Sequence, residues 1–382
     1  MQFNKGRIKG PCSLELTIYD GGSSDTKENT TPNTASSAST LLSSRNQSKV
    51  SLVLISNTNL CLFVFCYTKA SHKNNTTVIF LLGFHDMGRF NVLLFILLLI
   101  VYCVTICGNS LIITLVSISK NLHSPMYFFL TQLSIADILL TTDISPFMLN
   151  IVLHEGTSIS FPGCITQLYF FILAEGFECL LLTMMSYDRY LAICSPLYYS
   201  SIMNHMLCIK LIVASWFLGS LVALILVHGI AQLYFCRSNT IDHFFCDFYP
   251  VMDISCSDMS LPQIEAPLLC FLVIVLPFFV IVISYVCIVL TIIKISSSSG
   301  KLKSFSTCSS HLTVVSIFYG TLIATYIIPN EGQTKILSKT LAFLYTVFTP
   351  LLNPFIYSLR NEDIKEALRR IIYKQNASYS KT

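Results

Sequence analysis

Asp188 and Arg189 stand side by side where a long apolar run ends, in Met185-Ser186-Tyr187-Asp188-Arg189-Tyr190-Leu191-Ala192-Ile193-Cys194. Charges at or near membrane depth cost several kcal/mol unless they are paired or hydrated. A neighbouring aspartate can hold the guanidinium in a resting arrangement, and the plainer alternative is a pair that only anchors a helix end. Three more acids fall in apolar surroundings: Asp137, Glu175 and Glu178. An isolated carboxylate in such a place is protonated or needs a partner. Glu175 precedes Glu178 by nearly one helical turn, so both project from a similar face of one helix.

These residues need long apolar helices to position them, and the composition supplies such helices. Of 382 residues, 53% are apolar and only 12% charged, against about a quarter charged in soluble domains. Seven stretches are long enough for the roughly 20 helical residues that cross a bilayer: Val92–Ser117, Met126–Ile151, Phe161–Tyr187, Leu207–His228, Glu265–Ile293, Phe305–Ile328 and Thr340–Leu359. The expected fold is an all-α membrane protein, a seven-transmembrane helix bundle. An odd number of crossings puts the two ends of the chain on opposite sides. Lys120, Lys210, Lys294, Lys301, Lys303, Arg360, Lys365, Arg369 and Arg370 collect on one side. By the positive-inside tendency that side, with the C-terminus, is cytosolic and the N-terminus is extracellular. The net charge of +4 reflects these flanks and gives no reason to invoke nucleic acid. No His-Glu-X-X-His or comparable catalytic spacing appears, so an enzyme is not expected.

Beyond Asn361 a short amphipathic eighth helix is expected, capped by Asn361, with Ile364, Leu368 and Ile371 recurring at helical spacing along the membrane surface. Residues 1–86 form the expected extracellular segment, 87–371 the helical domain and 372–382 the tail. Residues 1–70 differ from the rest. Ser, Thr and Asn dominate from Gly21 to Ser48, and Ser51–Thr68 is too short and broken to span well. The stretch reads as a disordered extension, and an upstream exon or gene-model artefact explains it better than a new domain. Asn74 and Asn75 each head an Asn-X-Thr sequon for glycosylation.

Fifteen cysteines sort by position. Cys164, Cys236, Cys246 and Cys256 fall in or beside outer loops, where disulfides are permitted. Four cysteines allow three connectivities, and the spacing does not choose. His243 near Cys246 could hold a soft metal, but a disulfide at Cys246 would remove that thiolate and favour a structural role. Trp216, the only tryptophan, is expected to be a packing anchor.

From about residue 75 to 370 the chain resembles the olfactory receptors among the rhodopsin-like G-protein-coupled receptors. An ordered set of motifs carries the resemblance: Gly108-Asn109, then Leu122-His123-Ser124-Pro125-Met126-Tyr127, then the Asp188-Arg189-Tyr190 block. These are followed by Ser306-Thr307-Cys308-Ser309-Ser310-His311, Phe318-Tyr319-Gly320 and Pro350-Leu351-Leu352-Asn353-Pro354-Phe355-Ile356-Tyr357. The resemblance implies a plasma-membrane receptor that binds an odorant and activates a stimulatory heterotrimeric G protein. Its switch would comprise Asp188, Arg189, Tyr190, Tyr285, His311, Asn353, Pro354 and Tyr357, with Arg189 turning toward Tyr285 and Tyr357 as the sixth helix swings out. It further implies disulfides Cys164–Cys246 and Cys236–Cys256, and a sodium ion at Asp137, Glu178 and Asn353. A shared proton with a water network is the rival for that cluster. No other cofactor is expected.

The ligand is expected among the outer halves of helices 3, 5, 6 and 7, against Phe171, Ile172, Glu175, Gly176, Leu269, Val273, Tyr319, Leu322, Ile323 and Tyr326. Such a pocket suits small, mostly apolar molecules. Glu175 stands where the family usually has a small or uncharged residue. It points to an amine, unless it is protonated or bonded to a neighbour such as Tyr319. An ion-coupled transporter or channel using Asp137 and Glu178 is the alternative class, though no continuous polar stripe favours it.

Overall fold

In the computed structural model, residues 50–57, 60–67, 78–84, 90–235, 239–257, 260–327, 335–361 and 363–370 are described. Asn74, Asn75, Met87 and Cys236 lie outside them, as do residues 1–49 and the side chain of Tyr326. The chain divides into two units, Met1–His72 and Lys73–Thr382. In the first, β1 (Val50–Asn57) pairs antiparallel with β2 (Leu60–Tyr67), from Val50 opposite Tyr67 to Asn57 opposite Leu60. The apolar, β-branched stretch expected to be disordered is therefore a hairpin over these residues.

The second unit is a helix bundle. Its long helices are α1 (Asn91–Ile118), α2 (Pro125–His154), α3 (Phe161–Cys194) and, after the short α4 (Pro196–Ile202), α5 (His205–Ala231). The outer loop then carries α6 (Phe248–Asp253). The next crossing is α7 (Ser260–Cys270) continued through a π-helical turn, Phe271–Val275, into α8 (Leu276–Lys294). Then come α9 (Ser298–Ile327), α10 (Lys335–Phe343), a second π-helical turn at Leu344–Phe348, and α11 (Thr349–Arg360). Residues 363–370 form a last short helix, α12.

Among the described residues, six helical segments are long and apolar enough to cross a membrane. The seventh is α9, whose apolar part is shorter, Cys308–Ala324. This helix begins at Ser298 rather than at Phe305, because the lysines and serines ahead of Phe305 can continue a helix into water although they cannot enter the bilayer.

Local chemistry sets the boundaries. Ser160 Oγ accepts from Gly163 N–H (3.2 Å) at the start of α3, and Asn204 Oδ1 accepts from Leu207 N–H (2.9 Å) at the start of α5. Asn361 Oδ1 accepts from the amides of Asp363 (2.9 Å) and Ile364 (3.3 Å), so the expected cap of the eighth helix is present. In α12, Ile364 is buried and Leu368 packs against the inner core.

Helix α3 runs through the middle, with its residues buried from Cys164 to Leu191 on the faces that meet α2, α5 and α8. Gly108 lets α11 approach α1. A Cβ there would stand 3.1 Å from the ring of Pro354, tighter than most contacts tolerate. Beside it, Asn109 Nδ2 donates to the carbonyl of Pro350 at 3.2 Å. Phe177 and Trp216 stack at 3.9 Å between α3 and α5, so the tryptophan is a packing anchor.

At the outer end, β3 (Val78–Leu81) lies between β4 (Thr157–Ser160) and β5 (Thr240–Ile241). Gly83 follows β3 at φ +66°, and a Cβ there would collide with Ile151, so only glycine fits.

Candidate functional site

At the inner end of α3, Arg189 is paired with Asp188. Its Nε donates to Asp188 Oδ2 at 2.9 Å, and its Nη2 makes a second bond to the same oxygen. The other carboxylate oxygen accepts from Tyr199 Oη on α4 at 2.8 Å. Asp188 is fully buried, and burial together with this carboxylate pushes the Tyr199 phenol above its usual range. Tyr199 is part of the arrangement and was not among the expected switch residues. Tyr190 packs against the inner core nearby.

Between α8 and α9, Tyr285 Oη and His311 Nδ1 lie 2.6 Å apart with their rings parallel. Tyr357 on α11 is buried, and its hydroxyl has no hydrogen-bond partner among the described residues. The expected members therefore meet as two separate ties plus one unengaged phenol, and Arg189 is bonded to its neighbour rather than to either tyrosine.

Halfway along the bundle, Asn353 Nδ2 donates to both carboxylate oxygens of Asp137 at 3.1 Å. Glu178 lies close to this pair, and its Oε1 is buried without a partner. The structure thus brings together the three residues expected to hold a cation, from α2, α3 and α11.

The outer half is packed by aromatic and aliphatic side chains. Phe171 meets Phe245 edge-on at 5.0 Å and Tyr345 at 6.1 Å. Ile172, Leu269 and Val273 share one cluster with Phe248 of the outer loop. Gly176 brings α3 close to the π-helical turn, since a Cβ there would stand 3.2 Å from Val273. Tyr319 and Leu322 are buried. Ile323 is not: it is 41% exposed and lines, with Tyr319 and Gly320, a cleft of about 610 Å³ between α8 and α9. Glu175 is buried with neither carboxylate oxygen hydrogen-bonded, so the alternative in which it bonds Tyr319 is not realised.

Above this region the outer loop is pinned. Cys164 and Cys246 form a disulfide joining α3 to the loop. Cys256 is also disulfide-bonded, while its expected partner Cys236 lies outside the described residues. Phe235 and Ser255, the residues beside that pair, form a bridge. His243 is buried between the rings of Phe244 and Phe245, each 4.7 Å away, and burial holds it neutral by lowering its pKa to about 3. With Cys246 in a disulfide, the His–Cys pair is structural. Lys339 of α10 donates to the Gly83 carbonyl at 2.6 Å and pairs with Asp242, tying a helix to β3 and to the loop. Neither Lys339 nor Asp247 stands out in the sequence as a site residue, since both look like ordinary loop-flanking charges.

A seven-crossing bundle with an acid–arginine tie at one end of its central helix and a disulfide-pinned loop at the other has the architecture of a G-protein-coupled receptor. A family profile described as olfactory receptor matches residues 98–375. The chain is 45% identical over 295 residues to human olfactory receptor 11L1, covering 77% of this chain and 92% of that protein. It is 43% identical over 310 residues to rat olfactory receptor 1468, covering 80% and 99%, and 44% identical over 310 residues to human olfactory receptor 1S1, covering 80% and 95%. The chain belongs to the olfactory receptor family: it is an odorant-type G-protein-coupled receptor, a multi-pass membrane protein and not an enzyme. Nothing supports the transporter or channel alternative.

Proposed function

We propose that this receptor binds a small, mostly apolar odorant among the outer halves of α3, α7–α8 and α9 and activates a stimulatory heterotrimeric G protein through Arg189. The observation that carries this reading is the buried Asp188 held at once by Arg189 and Tyr199. It is a closed arrangement with a second one within reach. Leaving a buried hydroxyl unbonded costs about 1–3 kcal/mol, and Tyr357 is such a hydroxyl. When the inner end of α9 moves outward and Tyr285 parts from His311, Arg189 turns to Tyr285 and Tyr357. A cleft then opens for a helix of the G protein.

The ligand site comprises Phe171, Ile172, Glu175, Gly176, Leu269, Val273, Tyr319 and Leu322, with Tyr326 on the same helix as the last two. Their apolar character supports a volatile or sparingly soluble ligand. The donor set of Asp137, Glu178 and Asn353 fits a sodium ion, since Glu178 keeps an orphaned oxygen and a cation would favour the ionised form of both acids. Such an ion would favour the resting state by tying α2, α3 and α11 together. Residues 87–371 make up the receptor domain, in the plasma membrane, with the N-terminus and the glycosylation sequons at Asn74 and Asn75 outside. Lysines and arginines at the inner helix ends support that orientation.

The test is a ligand panel read by a cyclic-nucleotide reporter in cells expressing the full chain, with accessible epitope tags scored at each end before and after permeabilisation. A ligand-evoked cyclic-nucleotide rise that requires a stimulatory α subunit, with only the N-terminal tag accessible on intact cells, is the expected result. A response that survives removal of that subunit would overturn the coupling.

A further inference from the structure

Among the acids in or beside the bundle from its middle to its outer end, Asp137, Glu175, Glu178 and Asp247 differ in what partners them. Asp137 is bonded through both its oxygens by Asn353. Glu175 has nothing comparable. It is 9% exposed, both its oxygens are buried without a hydrogen bond, and the titratable groups that bear on it are two further acids, Glu178 and Asp247.

Asp247 comes from a different element. It follows Cys246, so the disulfide to Cys164 fixes it above α3. One of its oxygens accepts from the Phe248 amide at 2.7 Å, capping α6. Burial raises its pKa only to about 6, so it is ionised at neutral pH. Ile172 on α3, Leu269 and Val273 on the facing crossing, and Phe248 beside Asp247 share one apolar cluster.

We propose that the natural ligand is a short alkyl diamine, with one ammonium on Glu175, the other on Asp247 and its methylene chain against Ile172, Val273 and Phe248. This rests on the ligand-site reading above and names the chemical class which that site takes. The carboxylates explain the choice. An uncharged odorant would cover Glu175 with apolar surface and leave both its oxygens without a partner, whereas an ammonium supplies donors and a countercharge that favour the ionised form. A monoamine answers one acid and buries the other under its own tail. A dication answers both, and the apolar wall between them fits a run of CH₂ groups, each of which gains by leaving water. A site built around a charged partner discriminates strongly against analogues that lack it, because its own polar groups are then left unpaired.

The experiment compares linear diamines of increasing length with monoamines, alcohols and carboxylic acids of matched length. It uses the full-length receptor, Glu175→Gln and Asp247→Asn, with the cyclic-nucleotide reporter and surface expression measured in parallel. Asparagine still offers a capping oxygen to α6, so Asp247→Asn removes charge without removing the cap. The expected result has three parts. Diamines of one length are the most potent class on the wild type. Glu175→Gln lowers amine potency tenfold or more. Asp247→Asn lowers diamine potency tenfold or more while leaving monoamines within about threefold. Diamines no better than matched monoamines, or unchanged by Asp247→Asn, overturn the two-point assignment. Alcohols that activate every form while amines are inert overturn it too, and leave the odorant-receptor reading standing. A wild type silent to all four classes, yet activated by other odorants, likewise overturns the diamine and not the receptor.

Discussion

Tyr199 donates to Asp188 Oδ1 at 2.8 Å while Arg189 holds Oδ2, so a residue of the second inner loop shares the acid that restrains the arginine. Hydrogen bonds to charged groups contribute about 1.5–3 kcal/mol when both partners are buried, and less when one is half exposed as Tyr199 is. Tyr199→Phe should therefore weaken the resting state by about 1 kcal/mol. Agonist-independent signalling at matched surface expression should rise roughly fivefold, the equilibrium shift that corresponds to that energy. Unchanged basal output would remove Tyr199 from the lock.

The Tyr285–His311 contact makes a prediction of opposite signs. In the resting state it ties α8 to α9, whereas in the active state Tyr285 serves Arg189. His311→Ala should raise basal output by breaking the tie alone. Tyr285→Phe should lower the maximal agonist response several-fold, because the phenol is lost from both states. If both variants shift basal and maximal output in the same direction and to the same extent, the tyrosine has no second partner.

Cys164 and Cys246 close a loop with a sequence separation of 82. By chain entropy such a bond is worth about 4 kcal/mol, enough to decide whether the receptor reaches the surface. Cys164→Ser and Cys246→Ser should lose surface expression alike, and the double variant should be no worse than either single one, since partners in one bond are non-additive. Defects that sum would show the cysteines acting independently.

His243 gives a pH dependence with a definite sign. Its folded pKa, about 3, lies below the ordinary 6.5. The unfolded chain therefore gains a proton first as pH falls. The stability that neutral His243 contributes is complete above about pH 6.5 and declines as the pH drops toward 3. Purified receptor should melt at a lower temperature at pH 5 than at pH 7.5, by about 2 kcal/mol in stability from this group. His243→Phe, which keeps a ring in the stack with Phe244 and Phe245, should flatten that dependence. A pH profile identical in both proteins would assign the effect to another group.

Much of the fold is legible in the residues. Apolar run length marks the crossings, prolines and caps such as Asn204 and Asn361 mark their ends, and Asp188–Arg189 stands out because charge in an apolar setting is conspicuous. What escapes is of another kind. Tyr199 and Asp247 look like ordinary loop residues, and only the folding of the loops over α3 gives them their roles. Ile323 is apolar like its neighbours on α9, and only the rotation of that helix places it at the cleft between α8 and α9. The interruption in Ser51–Thr68 argues against a spanning helix without revealing that Val50–Asn57 and Leu60–Tyr67 pair, because pairing depends on a register the apolar pattern does not set.

The most direct test of the account is the agonist response of Arg189→Ala. An activating odorant from the panel is applied to wild type and variant at equal surface density, with binding and cyclic-nucleotide output measured on the same cells. The account predicts binding within about threefold of wild type, since the ligand site lies several helical turns from Arg189, and an output below a tenth of wild type. Undiminished cyclic-nucleotide output from Arg189→Ala would contradict it.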